Sequence, residues 1–371
     1  MKRRVLLSCM SMVIAGPACA QSSVTLYGLI SEGLMYTNNA GGQKQVQLAS
    51  GIQQGSRFGL TGKEDLGGGT QAIFTLENGF SITNGTLGQG SRMFGRQAFV
   101  GVANDQFGRL TLGRQYDTMS QTLGGFEAAQ QFATYGPPIG DNDNLFPTFR
   151  INNAVQYKSP TLSGLQLLSA YSFSNKAGGF SDNSDFNAGL TYANGPISLA
   201  AAYHVLLTPN DAGNTGGAVS GDYGAFSPFV TSPSSGAGVS KQQMYGAGGS
   251  YTVSSAKFSL LYTHTEFDYL DQSRLSLSNY EATVTDYLSP TLLVGMGYIY
   301  TAGRYEPSAK TPKWHQVDVG ADWFLSKRTD LFLVGIFQKA AGDAKFAEIY
   351  DNSPSSSREQ FSASVGIRHR F

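Results

Sequence analysis

The sequence predicts an all-β chain, sixteen antiparallel strands closed into a barrel that crosses a membrane around a water-filled interior. Three observations predict it. Segments of alternating polarity recur along the chain, and their connections alternate between short and long. Beyond the first twenty residues no apolar run approaches the roughly 18 residues that a membrane helix needs, whereas a barrel strand needs only about 9–11.

The alternation is plainest in the last segment. Phe361, Ala363, Val365, Ile367, His369 and Phe371 share one face, and Ser362, Ser364, Gly366, Arg368 and Arg370 share the other. Upstream, Val317, Val319, Ala321 and Trp323 stand against Gln316, Asp318, Gly320 and Asp322. One face suits lipid and the other suits water. The stretch Leu331 to Phe337 is apolar on both faces and fits this pattern poorly. Trp314 and Trp323 would stand roughly 20 Å apart along the membrane normal, one in each aromatic girdle.

The turns decide the solvent, because a soluble sandwich would also alternate. Tight connections rich in turn-forming residues are expected at 65–69, 105–108, 159–161, 194–196, 254–255, 289–290 and 326–328. Longer polar connections are expected at 38–50, 83–91, 118–148, 176–184, 207–240, 269–276, 304–312 and 342–358. Seven short turns alternating with eight long loops give sixteen strands. An even count with short turns at one end is the outer-membrane arrangement, turns toward the periplasm and loops outward.

The N-terminus supplies an export signal over residues 1–20. Lys2, Arg3 and Arg4 are basic, Val5 to Ala15 is a short apolar run, and Ala18-Cys19-Ala20 is a small-x-small cleavage pattern placing the mature start at Gln21. Residues 21–371 then form a single barrel domain, since no linker separates regions of different composition. Both cysteines, Cys9 and Cys19, leave with the signal, so disulfides and thiolate metal sites are excluded. Three basic residues and no acidic ones leave with them, taking 26 against 26 to a formal net charge of −3. That near-balance argues against nucleic acid as a partner.

Five segments carry a family resemblance. They are Ser23-Val24-Thr25-Leu26-Tyr27-Gly28, the run Ser56 to Gly67, Gly95-Arg96-Gln97-Ala98-Phe99-Val100-Gly101, Leu112-Gly113-Arg114-Gln115-Tyr116-Asp117 and the terminal Phe371. In this order and spacing the chain resembles the general porins of β-proteobacteria over essentially its whole mature length. The resemblance implies a homotrimer of sixteen-stranded barrels in the outer membrane of a Gram-negative cell, among its lipid and lipopolysaccharide. It implies a third extracellular loop folded into the lumen as a constriction, and a terminal Phe371 read by the barrel-assembly machinery. The long 118–148 connection suits that role, because loops of this length are seldom idle.

Pleat parity sets Arg57 against Phe58 and Leu60, Arg96 against Gln97 and Phe99, and Arg150 against Ile151, Val155 and Tyr157, so all three arginines should point inward. On the lipid face at mid-membrane each would cost about 2–4 kcal/mol. By resemblance these three line one wall of the constriction, opposite loop acids for which Glu127, Asp141 and Asp143 are the candidates. Pro137-Pro138 stands where related enteric porins carry a proline-glutamate pair, and Leu29 where some relatives carry a lysine. The missing acid points toward anion preference. Arg92 and Arg114 are candidates to latch a neighbouring subunit, as similar arginines do in the family.

No cofactor or metal is expected. Asp141-Asn142-Asp143-Asn144 begins like a calcium loop, but the required glycine and closing glutamate do not follow, and it reads as ordinary loop. Enzymatic function is not expected either. No serine sits in a nucleophile elbow, and His264, His315 and His369 share parity with apolar neighbours, leaving only His204 inward. The expected function is passive diffusion of small hydrophilic solutes and ions. The competing reading is a substrate-specific channel, or an adhesin whose 207–240 loop presents Tyr223, Phe226 and Phe229.

Overall fold

The computed structural model describes residues 23–371. The expected signal segment, its cleavage site and both cysteines lie outside the described residues. The wall begins with β1 (Ser23–Ala40), β2 (Gln43–Ser50), β3 (Arg57–Gly67), β4 (Thr70–Gly79), β5 (Gln97–Asn104) and β6 (Gly108–Gln115). It continues through β7 (Ile151–Lys158), β8 (Leu165–Ser172), β9 (Ser184–Asn194), β10 (Ile197–Leu207), β11 (Val239–Val253) and β12 (Ala256–Tyr269). The last strands are β13 (Arg274–Ser289), β14 (Leu292–Glu306), β15 (Pro312–Phe324), β16 (Thr329–Gly342) and β17 (Glu359–Arg370). Every strand pairs antiparallel with its neighbours, and β1 with β17 closes the ring.

The seventeen segments occupy sixteen positions, because β2 and β3 both pair with the same edge of β1. Between them, residues 51–56 leave the ladder and turn inward, with Ile52 and Gln53 buried. Ser56 anchors the break, its Oγ accepting from Ser31 N at 3.1 Å and donating to Ser31 O at 3.2 Å.

All seven short turns fall where expected. The first long loop does not. Instead of a loop over 38–50, β1 and β2 continue to a tight turn at Gly41 and Gly42, both at positive φ as a two-residue hairpin requires. The residues nearest the turn are polar on both faces and read as loop, although Val46 and Leu48 of β2 keep the outward alternation.

The doubly apolar stretch of β16 has a physical reason. Leu331 and Leu333 are exposed on the lipid face, while Phe332, Val334 and Ile336 point inward and are buried. They meet Ala128, Phe132, Ala133 and Tyr135 of the third long loop, 116–150, in one apolar cluster. An inward face covered by protein no longer has to suit water. Phe132 seats so closely that a Cβ on Gly295 of β14 would come within 2.4 Å of its ring, and one on Gly320 of β15 within 2.8 Å.

The same loop begins with a short helix, α1 (Thr118–Leu123), capped by Asp117, whose carboxylate accepts from Ser120 N at 2.7 Å. Met119 and Leu123 of α1 pack with Phe126, Phe149, Leu206 and Met244 in a second cluster. The loop is thereby fastened to inward-facing residues on two sides of the wall.

The two tryptophans do not form a pair of girdles. An odd separation of nine puts them on opposite faces of β15: Trp323 is 59% exposed toward lipid, whereas Trp314 is 5% exposed. Trp314 donates from Nε1 to Phe346 O at 3.0 Å and meets Phe229 edge-on.

Truncating Phe132 to alanine is expected to cost about 3–5 kcal/mol of loop anchorage. The variant should unfold at a lower temperature in detergent and be nicked by protease within residues 116–150. Full protease resistance would mean that the α1 end alone holds the loop.

Candidate functional site

Three strand ends deliver arginines to one side of a cavity of roughly 700 Å³ inside the wall. Arg57 opens β3, Arg96 precedes β5 and Arg150 precedes β7, and all three line it. Tyr116, following β6, sits among them as a platform. The Arg150 guanidinium lies 4.9 Å from the centre of the Tyr116 ring, and Arg96 Nη2 donates to the Tyr116 hydroxyl at 2.6 Å.

Each guanidinium also donates a hydrogen bond that fixes it. Arg96 Nε donates to Glu77 Oε1 at 2.8 Å, and Tyr27 donates its hydroxyl to Glu77 Oε2 at 2.9 Å. Arg150 Nη1 donates to Thr148 O at 3.1 Å, and Arg57 Nε to Gly55 O at 2.9 Å. Glu77 is therefore committed to Arg96 and Tyr27. The carboxylate lining the cavity is Asp351, from loop 343–358. Three positive groups against these two acids leave the cavity a net excess of positive charge. Such fixed, charge-capable N–H donors can replace part of the hydration shell of a passing anion.

Two of the parity arguments for these arginines need correction. Phe99 is buried and lies beneath the Arg109 guanidinium, while Val100 and Val102 face lipid, so Phe99 points inward. Arg96 reaches the cavity because it precedes the ladder of β5, where strand parity does not apply. Ile151 is also buried inward, through a register shift between β6 and β7 and a left-handed Asn153 with φ of 53°. Arg57 follows its parity, with Leu60 exposed and Gly59 buried beside it.

The three loop acids do not line this cavity. Glu127, Asp141 and Asp143 are buried with carboxylate oxygens within 4.8 Å of one another. Asp141 accepts from Phe146 N and Thr148 N, both at 3.1 Å, and from Thr148 Oγ1 at 2.6 Å. Asp143 accepts from Thr263 Oγ1 at 2.5 Å and Asn279 Nδ2 at 3.2 Å, tying the loop to β12 and β13. Burial pushes all three carboxyls above the usual carboxylate range, and neighbouring acids add to this at Glu127 and Asp141. Sequence could not assign them, because an irregular loop crossing a barrel has two sides and no pleat to choose between them.

Arg92 and Arg114 both make contacts within their own chain. Arg92 donates to Gln89 O and Ser220 O, each at 2.8 Å. Arg114 is buried, donates to Gly95 O at 2.8 Å and pairs with Asp222. Both arginines hold the 208–238 loop against the barrel. Within that loop Phe229 is buried, Tyr223 donates to Gln242 Oε1 at 2.7 Å, and Phe226 lines the cavity. Two of its three aromatics are therefore engaged with the barrel, while Phe226 stays partly exposed beside the Tyr350 ring. The inward His204 is buried and pairs with Asp185.

Sequence reading missed Tyr116 and Glu77. Both carried a signal: Tyr116 ends one of the five resemblance segments, and Glu77 shares inward parity with Thr75 on β4.

Comparison with known proteins agrees with this architecture. The family model described as Gram-negative porin matches residues 7–340. An outer membrane porin protein of Bordetella pertussis is 31% identical over the full length of both chains. Outer membrane porin protein 32 of Delftia acidovorans is 28% identical, also over the full length of both. Among solved structures, the anion-selective porin from Comamonas acidovorans superposes with a TM-score of 0.77 at 24% identity, covering 95% of this chain and 100% of that one. A barrel of this form, matched along most of its length, is an outer-membrane protein, and the chain belongs to the Gram-negative porin family.

Proposed function

We propose that this porin is a passive diffusion channel for small hydrophilic solutes and ions, with a preference for anions. The observation that carries the reading is the wall of Arg57, Arg96 and Arg150 on one internal cavity, each held by a hydrogen bond. An anion passing this wall exchanges water for guanidinium N–H groups and gives them up on leaving, so passage needs neither chemistry nor energy coupling. The third loop narrows the lumen opposite the wall. With Glu127, Asp141 and Asp143 turned away from the cavity, less negative charge opposes the arginines than an acid-lined loop would supply.

The chain functions as a homotrimer in this reading, embedded in outer-membrane lipid and lipopolysaccharide. The barrel-assembly machinery reads Phe371, whose backbone already exchanges both hydrogen bonds with Gly28 at 3.0 Å.

Two substitutions should move selectivity in opposite directions. One charge lost near the ion path at water-like screening is worth about 1 kcal/mol, roughly a fivefold change in the permeability ratio of anion to cation. Arg96→Ala should lower that ratio by about this factor, read as the zero-current potential of a planar bilayer under a salt gradient. Glu77→Gln should raise it, provided circular dichroism shows the barrel intact. A potential unmoved by both variants would place the selectivity elsewhere, and a cation-signed potential in the wild type would overturn the anion preference.

A further inference from the structure

On the far side of the third loop from the arginines, negative charge accumulates without a basic partner. Glu127, Asp141 and Asp143 are buried together, and Glu281 of β13 and Asp318 of β15 are buried close by. Glu281 accepts from Ala128 N at 2.5 Å, and Asp318 accepts from Gln316 Nε2 at 3.1 Å. Among the described residues, none of these five carboxylates has a Lys, Arg or His nitrogen within 4.0 Å. Three of the four buried arginines, Arg96, Arg114 and Arg368, have an acidic partner, whereas none of these five acids has a basic one.

Glu127 makes the imbalance specific. It is fully buried, and neither of its carboxylate oxygens has a hydrogen-bond partner. One oxygen of Glu281 is likewise without a partner. A buried carboxylate with no donor is among the costliest arrangements a protein can keep, unless something else neutralises it. Asp141 and Asp143 offer their oxygens within 4.8 Å of those of Glu127. That span is twice a calcium–oxygen bond of about 2.4 Å, so one ion could touch all three residues. The donor set is all oxygen, with no cysteine or histidine, which selects a hard cation over zinc or copper.

We propose that Glu127, Asp141 and Asp143 bind a hard divalent cation of the calcium class, which ties the Glu127 stretch of the third loop to the turn at 141–143 that Asp143 fastens to β12 and β13. The sequence lacks the contiguous calcium-loop pattern because the site is tertiary. Two ligands come from the turn at Asp141 and Asp143, and the third comes from Glu127, fourteen residues earlier in the same loop. A dication would reduce the local charge of the three ligands from −3 to −1. The ion would enter as the loop folds and be sealed by it.

The test uses the full-length protein refolded in detergent with either calcium chloride or a calcium chelator, then freed of unbound metal by gel filtration. Elemental analysis should find one equivalent of calcium per chain in the first sample and none in the second. The thermal midpoint should be higher with calcium. Glu127→Gln, which keeps the shape and removes the charge, should lose the bound calcium and the calcium-dependent part of the midpoint, while Glu348→Gln in the eighth loop should keep both. Terbium luminescence on the wild type, displaced by added calcium, reads the site even if Glu127→Gln fails to fold. A wild type that binds neither calcium nor terbium at neutral pH would overturn the proposal and leave protons as the neutralising charge. So would a Glu127→Gln protein that keeps its calcium. Bilayer conductance of the same samples reports on the channel separately, so a failed channel reading would not be mistaken for a failed metal site.

Discussion

Closure of the hydrogen-bonded ring is the constraint from which the rest of this structure follows. In hydrocarbon no water can satisfy a free backbone N–H or C=O, so a membrane sheet has to have no edge. Here the last strand lies against the first, from Leu29 opposite Arg370 to Thr37 opposite Ser362. Phe371 and Gly28 complete the seam. Once closed, the sheet has only two environments for side chains, and alternation along each strand assigns them.

The interior that closure creates is too wide to be filled by wall side chains alone. The third loop fills much of it by treating different parts of the inner wall differently. It is apolar where it meets Phe332, Val334 and Ile336, and apolar again where α1 meets Leu206 and Met244. It is hydrogen-bonded where Asp143 meets Thr263 and Asn279. The arginine side keeps an open cavity, in which Arg57 and Arg96 bond to Gly55 and Glu77 of the wall, and Arg96 and Arg150 bond to Tyr116 and Thr148 at the two ends of the loop. The loop is thus anchored on its packed sides and borders the open cavity on the side of the arginines.

Most of the wall was legible in the sequence because a barrel strand announces its two faces and a short turn announces its residues. The seven turns and the outward rows, such as Val365 and Ile367, are read directly from that code. The code fails wherever one of its premises lapses. Beside a tight turn a strand can be polar on both sides, which hid the hairpin at Gly41 and Gly42. Beneath a packed loop a strand can be apolar on both sides, which explains β16 and the inward Trp314. At strand ends and register shifts parity is lost, which misplaced Phe99 and Ile151. Within the irregular loop there was no parity to use, and the three acids were assigned to the wrong side. The three arginines line one internal cavity, as their cost in lipid required.

The break between β2 and β3 gives the barrel something like a tie-rod. Gln53, at the innermost point of the break, reaches Asp322 on β15 with its side chain at 2.8 Å, and its carbonyl receives the Thr134 hydroxyl of the third loop. One short stretch of chain is thereby joined to the β15 wall and to the loop strung between them. A closed cylinder of sheet resists stretching along its strands but flattens easily into an ellipse. A chord between β15 and the edge of β1, with β16 and β17 between them, opposes the opening of that arc and so holds its curvature.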